Sequence, residues 1–420
     1  MNDGTLSAAE AARALGITRA SLYAYVSRGL IRSEPGPTPG RARRYPRDDV
    51  ERLRLRSEER RDPDTVAAHA LQWGVPVLES SITLIAGTAL YYRGRNVVAL
   101  SREASVEAVA SLIWTGRLDA ARPPRAAHAR PLGERSLRGA FVSRAQAALA
   151  LAPATDAHAY DLRPEAVVRT AWRVLDLLVR VAAPRARGEP IDAALARSWR
   201  VHAGAQDVIR AALILMADHE LNVSAFTARC IASAGSQPYA VVGGGLAAIE
   251  GIKHGGSTTR AESMLATLRR TRSLRASLAE RLRQGLRIEG FGHPLYPDGD
   301  PRAATLLALL GEHFHGSPEL RFVREVARAG TSLTGDAPNV DFALAAASRV
   351  LGLPRDSGLT LFAIGRTIGW LGHAIEQYAL GQIIRPRARY VGIAPNEAPA
   401  SPGARPPGAG GASGGRRSRA

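Results

Sequence analysis

From Ser105 to about residue 250 the chain repeats one pattern: apolar residues return every three or four positions, face after face. Val106, Val109, Leu112 and Ile113 make the first face, and similar ones run through 135–152, 164–183, 191–199, 205–217, 221–234 and 237–250. That spacing is the period of a helix with one side buried. Prolines at 123, 124, 131 and 153, with Gly188-Glu189-Pro190, punctuate the run. The chain is therefore mainly α, with no internal repeat. Before it, Val75 to Asn96 carries β-branched residues, glycine and two tyrosines, and predicts short strands over Ser81–Ile85 and Ala89–Arg95.

Residues 1–61 read as a separate module. Ser7-Ala8-Ala9-Glu10 is a capping box for a helix ending near Leu15-Gly16. Thr18 caps a second helix, Arg19 to Arg28, with Leu22 and Val26 inward. The loop from Pro35 to Gly40 cannot be helical, and a third helix carries Val50, Leu53 and Leu55. Two helices about a glycine turn describe a helix-turn-helix. Arg19, Ser21 and Tyr23 would face a major groove, while the basic loop with Arg43 and Arg44 would meet phosphates. Through Leu6–Ala12, Leu30-Ile31 and Arg44-Tyr45 the module resembles the winged helix-turn-helix of mercury-resistance-type regulators. The alternative is a helical trimer serving protein contacts. Residues 62–74 follow as a linker, and 393–420, rich in Pro, Gly, Ala, Ser and Arg, as a disordered tail.

A net charge of +18 invites a nucleic-acid partner, but Lys253 is the only lysine among 56 basic residues. So strong a preference for arginine reflects a general bias more than one chosen surface, and charge alone supports DNA binding weakly. Apolar runs are broken by charges well short of a spanning length, so no membrane segment is expected. The absence of a basic-then-apolar leader and the single Cys230 point to a reducing cytoplasm. Cys230 itself is expected in the core.

Five segments carry chemistry. In Gly290-Phe291-Gly292-His293, followed by Asp300-Pro301-Arg302, glycines flank a histidine and an arginine closes the loop. An imidazole polarises a carbonyl, and a guanidinium grips a carboxylate through two parallel hydrogen bonds. Asp218-His219-Glu220-Leu221-Asn222-Val223-Ser224 stands at a helix start, where simple capping would also explain it. Gly251-Ile252-Lys253-His254-Gly255-Gly256 sets a histidine before a helix that Thr259 and Glu262 can box-cap, and the helix dipole there disfavours an imidazolium. Asp341, in Pro338-Asn339-Val340-Asp341-Phe342, opens an apolar helix. Arg366 lies inside another, with no acid at the neighbouring helical positions, so a ligand carboxylate is a candidate partner.

Taken in order, these motifs and Arg385-Pro386 make residues 75–392 resemble citrate synthases. The resemblance implies large and small helical domains after the winged helix-turn-helix, and a homodimer. It implies Asp341 as the base that deprotonates acetyl-CoA, His254 as donor to the enol, and His293 as the group polarising oxaloacetate. His219, Arg302, Arg366 and Arg385 would hold the dicarboxylate, Arg385 from the other subunit. No metal or permanently bound cofactor is implied; acetyl-CoA is a co-substrate. The chain departs from the family in Ser257-Thr258 where Ala-Asn is common, and in Pro294–Pro297, which lacks basic residues found in some members. Two alternatives stand beside the synthase: a 2-methylcitrate synthase using propionyl-CoA, and a DNA-binding regulator whose synthase-like domain senses a CoA ester or a dicarboxylate. The remaining histidines, His373 among them, are expected on the surface or in packing.

Overall fold

Ser7 opens the first helix as its capping box predicts: its side chain accepts the Glu10 N–H while Glu10 accepts the Ser7 N–H. The computed structural model describes residues 5–28, 30–35, 43–47, 49–50, 53, 78–119, 138–186, 188–202, 204–388 and 390–393. It divides into two compact units, Met1–Ser81 and Ile82–Ala420.

In the first unit, β1 (Thr5–Ser7), α1 (Ala8–Leu15), α2 (Arg19–Ser27), β2 (Glu34–Pro35) and β3 (Arg43–Pro46) follow one another. The antiparallel sheet has the order β1-β3-β2, pairing Leu6 with Tyr45 and Glu34 with Arg44. Gly16 ends α1 in the left-handed region, and Thr18 caps α2. Leu6, Ala11, Ala12, Leu15, Leu22, Ile31, Tyr45 and Val50 form the core, with Val26 and Leu53 against it. Arg32 clasps buried Asp49 through Nε and Nη2, and residues 49, 50 and 53 are helical. Leu55, the loop over 36–42, the linker and all but the first residue of the expected tail lie outside the described residues.

The second unit opens on a meander, β4 (Thr83–Ala86), β5 (Ala89–Tyr92) and β6 (Arg95–Asn96), antiparallel throughout. Helix begins earlier than Ser105: Asn96 caps α3 (Val97–Glu103), and Ser105 caps α4 (Val106–Thr115). Then come α5 (Phe141–Leu151), α6 (Pro164–Ala182), α7 (Ile191–Trp199), α8 (Ala205–Leu215), α9 (Val223–Ser233) and α10 (Pro238–Ile249). The chain continues as α11 (Gly256–Leu268), α12 (Leu274–Arg283), α13 (Pro301–Phe314), α14 (Pro318–Thr334), α15 (Val340–Val350) and α16 (Ser357–Leu380). One apolar core runs from Ile82 to Ala374. Cys230, expected inside it, is only half-buried on α9.

Helix α16 is the spine, packed by α6, α8, α9, α10 and α15. At Gly369 a Cβ would come within 2.4 Å of the Ala217 carbonyl, so glycine lets the 217–219 segment lie directly on the helix. The Gly369 N–H donates to that carbonyl at 2.8 Å. This contact delivers Asp218 and His219 to the flank of α16 that carries Arg366. His373, on the same helix, is fully buried, with Nε2 3.3 Å from Asp218.

Candidate active site

Two loops pair to bring His293 and Asp341 together. Phe291 bridges to Pro338, the Asn339 N–H donates to the Gly290 carbonyl at 2.8 Å, and the Asn339 amide donates to the Gly292 carbonyl at 2.9 Å. Gly290 has φ +82°, and a Cβ there would meet Phe342 at 2.7 Å; only glycine satisfies both demands. Asn339 also caps α15, accepting the N–H groups of Asp341 and Phe342.

Asp341 therefore sits in the first turn of α15, partly buried, with Oδ1 accepting the Thr258 hydroxyl from α11. Burial raises its pKa from 3.8 to about 6, against the pull of Thr258 and Arg302. Such a carboxylate is still ionised at neutral pH and is a stronger base than an exposed one.

The three site histidines are neutral at pH 7. Burial lowers His254 to about 4, with the Arg366 guanidinium adding to it. Burial and Arg302 take His293 to about 4. His219 falls well below its ordinary value through burial, Arg302 and Arg366.

A backbone hydrogen bond fixes which ring nitrogen of His293 carries the proton. His293 Nδ1 accepts the Leu295 N–H at 3.2 Å, so its proton is on Nε2. His254 Nε2 lies 2.8 Å from the Ser224 hydroxyl. The same hydroxyl donates to Asn222 Oδ1 at 2.8 Å, and Asn222 Oδ1 also accepts the N–H groups of Ser224 and Ala225. His219 Nε2 lies 2.9 Å from the Tyr296 hydroxyl, and the His219 and His293 rings meet edge-on at 5.4 Å.

Arg302, buried at the start of α13, donates from Nε and Nη2 to Asp300 at 2.9 and 2.8 Å. Asp300 also accepts the Val340 N–H, so the pair is hitched to the helix bearing Asp341. The Nη1 side of Arg302 takes no part in this pair. Arg366 is 1% exposed; Nε donates to the Met216 carbonyl, and the guanidinium lies 5.0 Å from the Phe362 ring centroid. Burial lowers its pKa to about 10, with Asp218 as the opposing charge. Among the described residues its Nη groups have no hydrogen-bond partner, which suits capture of an anion.

Six of the seven expected residues, His219, His254, His293, Arg302, Arg366 and Asp341, thus form one electrostatically coupled cluster. Arg385 stands apart, exposed after α16 in a segment pinned by the Ile384 N–H to Ser233. Sequence reasoning missed Thr258 and Asp300 as partners, and gave Ser224 and Tyr296 no role. It also misplaced a cap: α11 begins at Gly256 with no side-chain cap, Thr259 lies inside it, and Glu262 accepts the Gly358 N–H.

Of the groups considered for DNA, Arg19 and Tyr23 are exposed on α2, Tyr23 by 53%. Ser21 is taken up by Thr18, its hydroxyl 2.9 Å from the Thr18 hydroxyl. Arg43 is exposed and donates to Ser33, while Arg44 donates to Thr5.

A family model for the citrate synthase C-terminal domain matches residues 70–387, and one for a helix-turn-helix domain matches 5–56. The second is broader than the mercury-resistance type. Citrate synthase 2 of Bacillus subtilis is 29% identical over 76% of this chain and 94% of its own length. Citrate synthase of Haloferax volcanii is 30% identical over the same shares. The crystal structure of citrate synthase from Thermotoga maritima aligns with TM-score 0.65 and 26% identity, over 78% of this chain and 96% of that one. With catalytic-type side chains converging where the family's motifs fall, and a family match across most of its length, this chain belongs to the citrate synthase family.

Proposed function

We propose that the chain condenses acetyl-CoA with oxaloacetate, releasing citrate and CoA. The observation that carries the reading is the convergence of a carboxylate raised to about 6 with two neutral, oriented imidazoles and two buried guanidiniums. Arg302 and Arg366 hold the dicarboxylate, with His219 against it. Asp341 takes a methyl proton from the thioester, and His254 stabilises the enol oxygen by hydrogen bonding as charge develops. The enol carbon attacks the oxaloacetate carbonyl, which His293 Nε2–H polarises and then protonates. Water cleaves the citryl thioester and frees the thiol. The test is thiol release from acetyl-CoA, dependent on oxaloacetate and abolished in Asp341→Asn; a wild-type protein that releases none overturns the reading. Propionyl-CoA in the same assay measures the choice of acyl chain, which turns on about 1–3 kcal/mol for one methylene.

A homodimer belongs to this proposal, because Arg385 faces solvent in the single chain and would complete a partner's site.

A second reading concerns the N-terminal unit. The exposed Arg19 and Tyr23 on the second helix of a helix-turn-helix support contact with double-stranded DNA. Salt-dependent binding by the full chain, weakened in Arg19→Glu, would bear it out; binding unchanged in that variant would count against it.

A further inference from the structure

The base has one hydrogen-bond donor that the mechanism leaves without a role. Thr258 is fully buried in the first turn of α11, four residues after His254, and its hydroxyl donates to Asp341 Oδ1. The helix carrying Thr258 is itself held: one turn on, Glu262 accepts the Gly358 N–H at 3.1 Å, tying α11 to the start of α16. The Thr258 N–H donates to the Gly255 carbonyl at 3.0 Å, inside the turn that presents His254. The threonine is thus braced between the enol donor, the base and the helix bearing Arg366.

We infer that Thr258 is a positioning residue for Asp341, its hydroxyl tying Oδ1 so that Oδ2 is presented to the substrate C–H. A threonine hydroxyl has one hydrogen to give, and here the carboxylate receives it. The bond favours the ionised carboxylate, opposing the burial that drives Asp341 toward neutrality. It also removes rotation about the carboxyl group, which matters because proton abstraction from carbon demands close alignment of base and C–H. The inference rests on the condensation proposed for this site.

The test compares Thr258→Val, which keeps shape and loses the hydroxyl, with Thr258→Ser, which restores it. Expected for the valine variant is a kcat lower by about ten- to a hundredfold, with KM for oxaloacetate within about twofold. The acid limb of its kcat profile moves to higher pH by about one unit. Serine brings both back towards wild type. A valine variant with unchanged kcat and an unmoved acid limb overturns the inference, as does a serine variant no better than valine. Carboxyl titration by carbon NMR of aspartate-labelled full-length protein, assigned through Asp341→Asn, reads the same bond without turnover. An Asp341 midpoint that rises in the valine variant supports the inference, and one that stays put overturns it. Wild-type protein without thiol release, by contrast, defeats the condensation reading itself.

Discussion

Arg302 and Asp300 form a closed ion pair, Nε to Oδ1 at 2.9 Å and Nη2 to Oδ2 at 2.8 Å, with both side chains buried. Burial alone would raise Asp300, but the guanidinium beside it holds the carboxyl below its ordinary value. Removing one partner leaves an uncompensated charge in the interior. Asp300→Asn is expected to cost about 3–5 kcal/mol of stability, read by denaturant unfolding. The double variant Asp300→Leu with Arg302→Met should recover most of that loss while binding no oxaloacetate. A folded-state pKa below the unfolded one also means that the pair's stability is present at neutral pH and lost as pH falls through the depressed value.

Asp341 should show the opposite sign. Its pKa is raised from 3.8 to about 6, so the native state resists ionisation. Below 3.8 both states are protonated and nothing is lost; the cost accumulates as pH rises to about 6 and is complete above it. Asp341→Asn is therefore expected to lower turnover by at least about 10²- to 10⁴-fold. The same variant should be more stable than wild type at pH 8, by up to about 3 kcal/mol, and no more stable near pH 3.5. Paired thermal melts at the two pH values check this, and a variant destabilised at pH 8 would contradict it.

Much of this was legible in the sequence because it is local. The capping box at Ser7 and the helical faces over 164–183 and 191–199 depend on residues a few positions apart. The site residues were legible by type and motif. What escaped notice depends on contacts across the chain. Thr258 meets Asp341, Ser224 meets His254, His219 meets Tyr296, and Asp218 meets His373 only once the helices pack. Arg366 shows the limit well: its own helix holds no nearby acid, yet Asp218 reaches it across the fold. The box expected at Thr259 and Glu262 failed because Glu262 is recruited by the start of α16.

The neutral histidines give a third expectation. His254 and His293 have pKa values of about 4, below the ordinary 6.5, through burial and neighbouring arginines. Between 6.5 and 4 the unfolded chain takes up protons that the native chain refuses. The stability they contribute is complete above 6.5 and is lost through that window, on the order of 3 kcal/mol each before solvent reaching the cleft reduces it. Proton NMR of the ring Hε1 signals should show neither histidine titrating between pH 5.5 and 8. Melting temperature should fall on acidification, and less steeply in His254→Gln.

Arg385 supplies a test of assembly that one protein preparation cannot mimic. It is exposed after α16, away from the six clustered residues, while its backbone neighbour Ile384 is anchored to Ser233. A rigidly based, outward arginine suits delivery of charge to a second copy. In a two-fold dimer each site would then combine Asp341 of one protomer with Arg385 of the other. Arg385→Ala and Asp341→Asn should each be nearly inactive alone. When the two are unfolded together and refolded, half the dimers are mixed. Each mixed dimer holds one site with both groups intact, so about a quarter of wild-type turnover should return. If Arg385 serves its own protomer instead, every site in the mixture lacks one group and no activity returns.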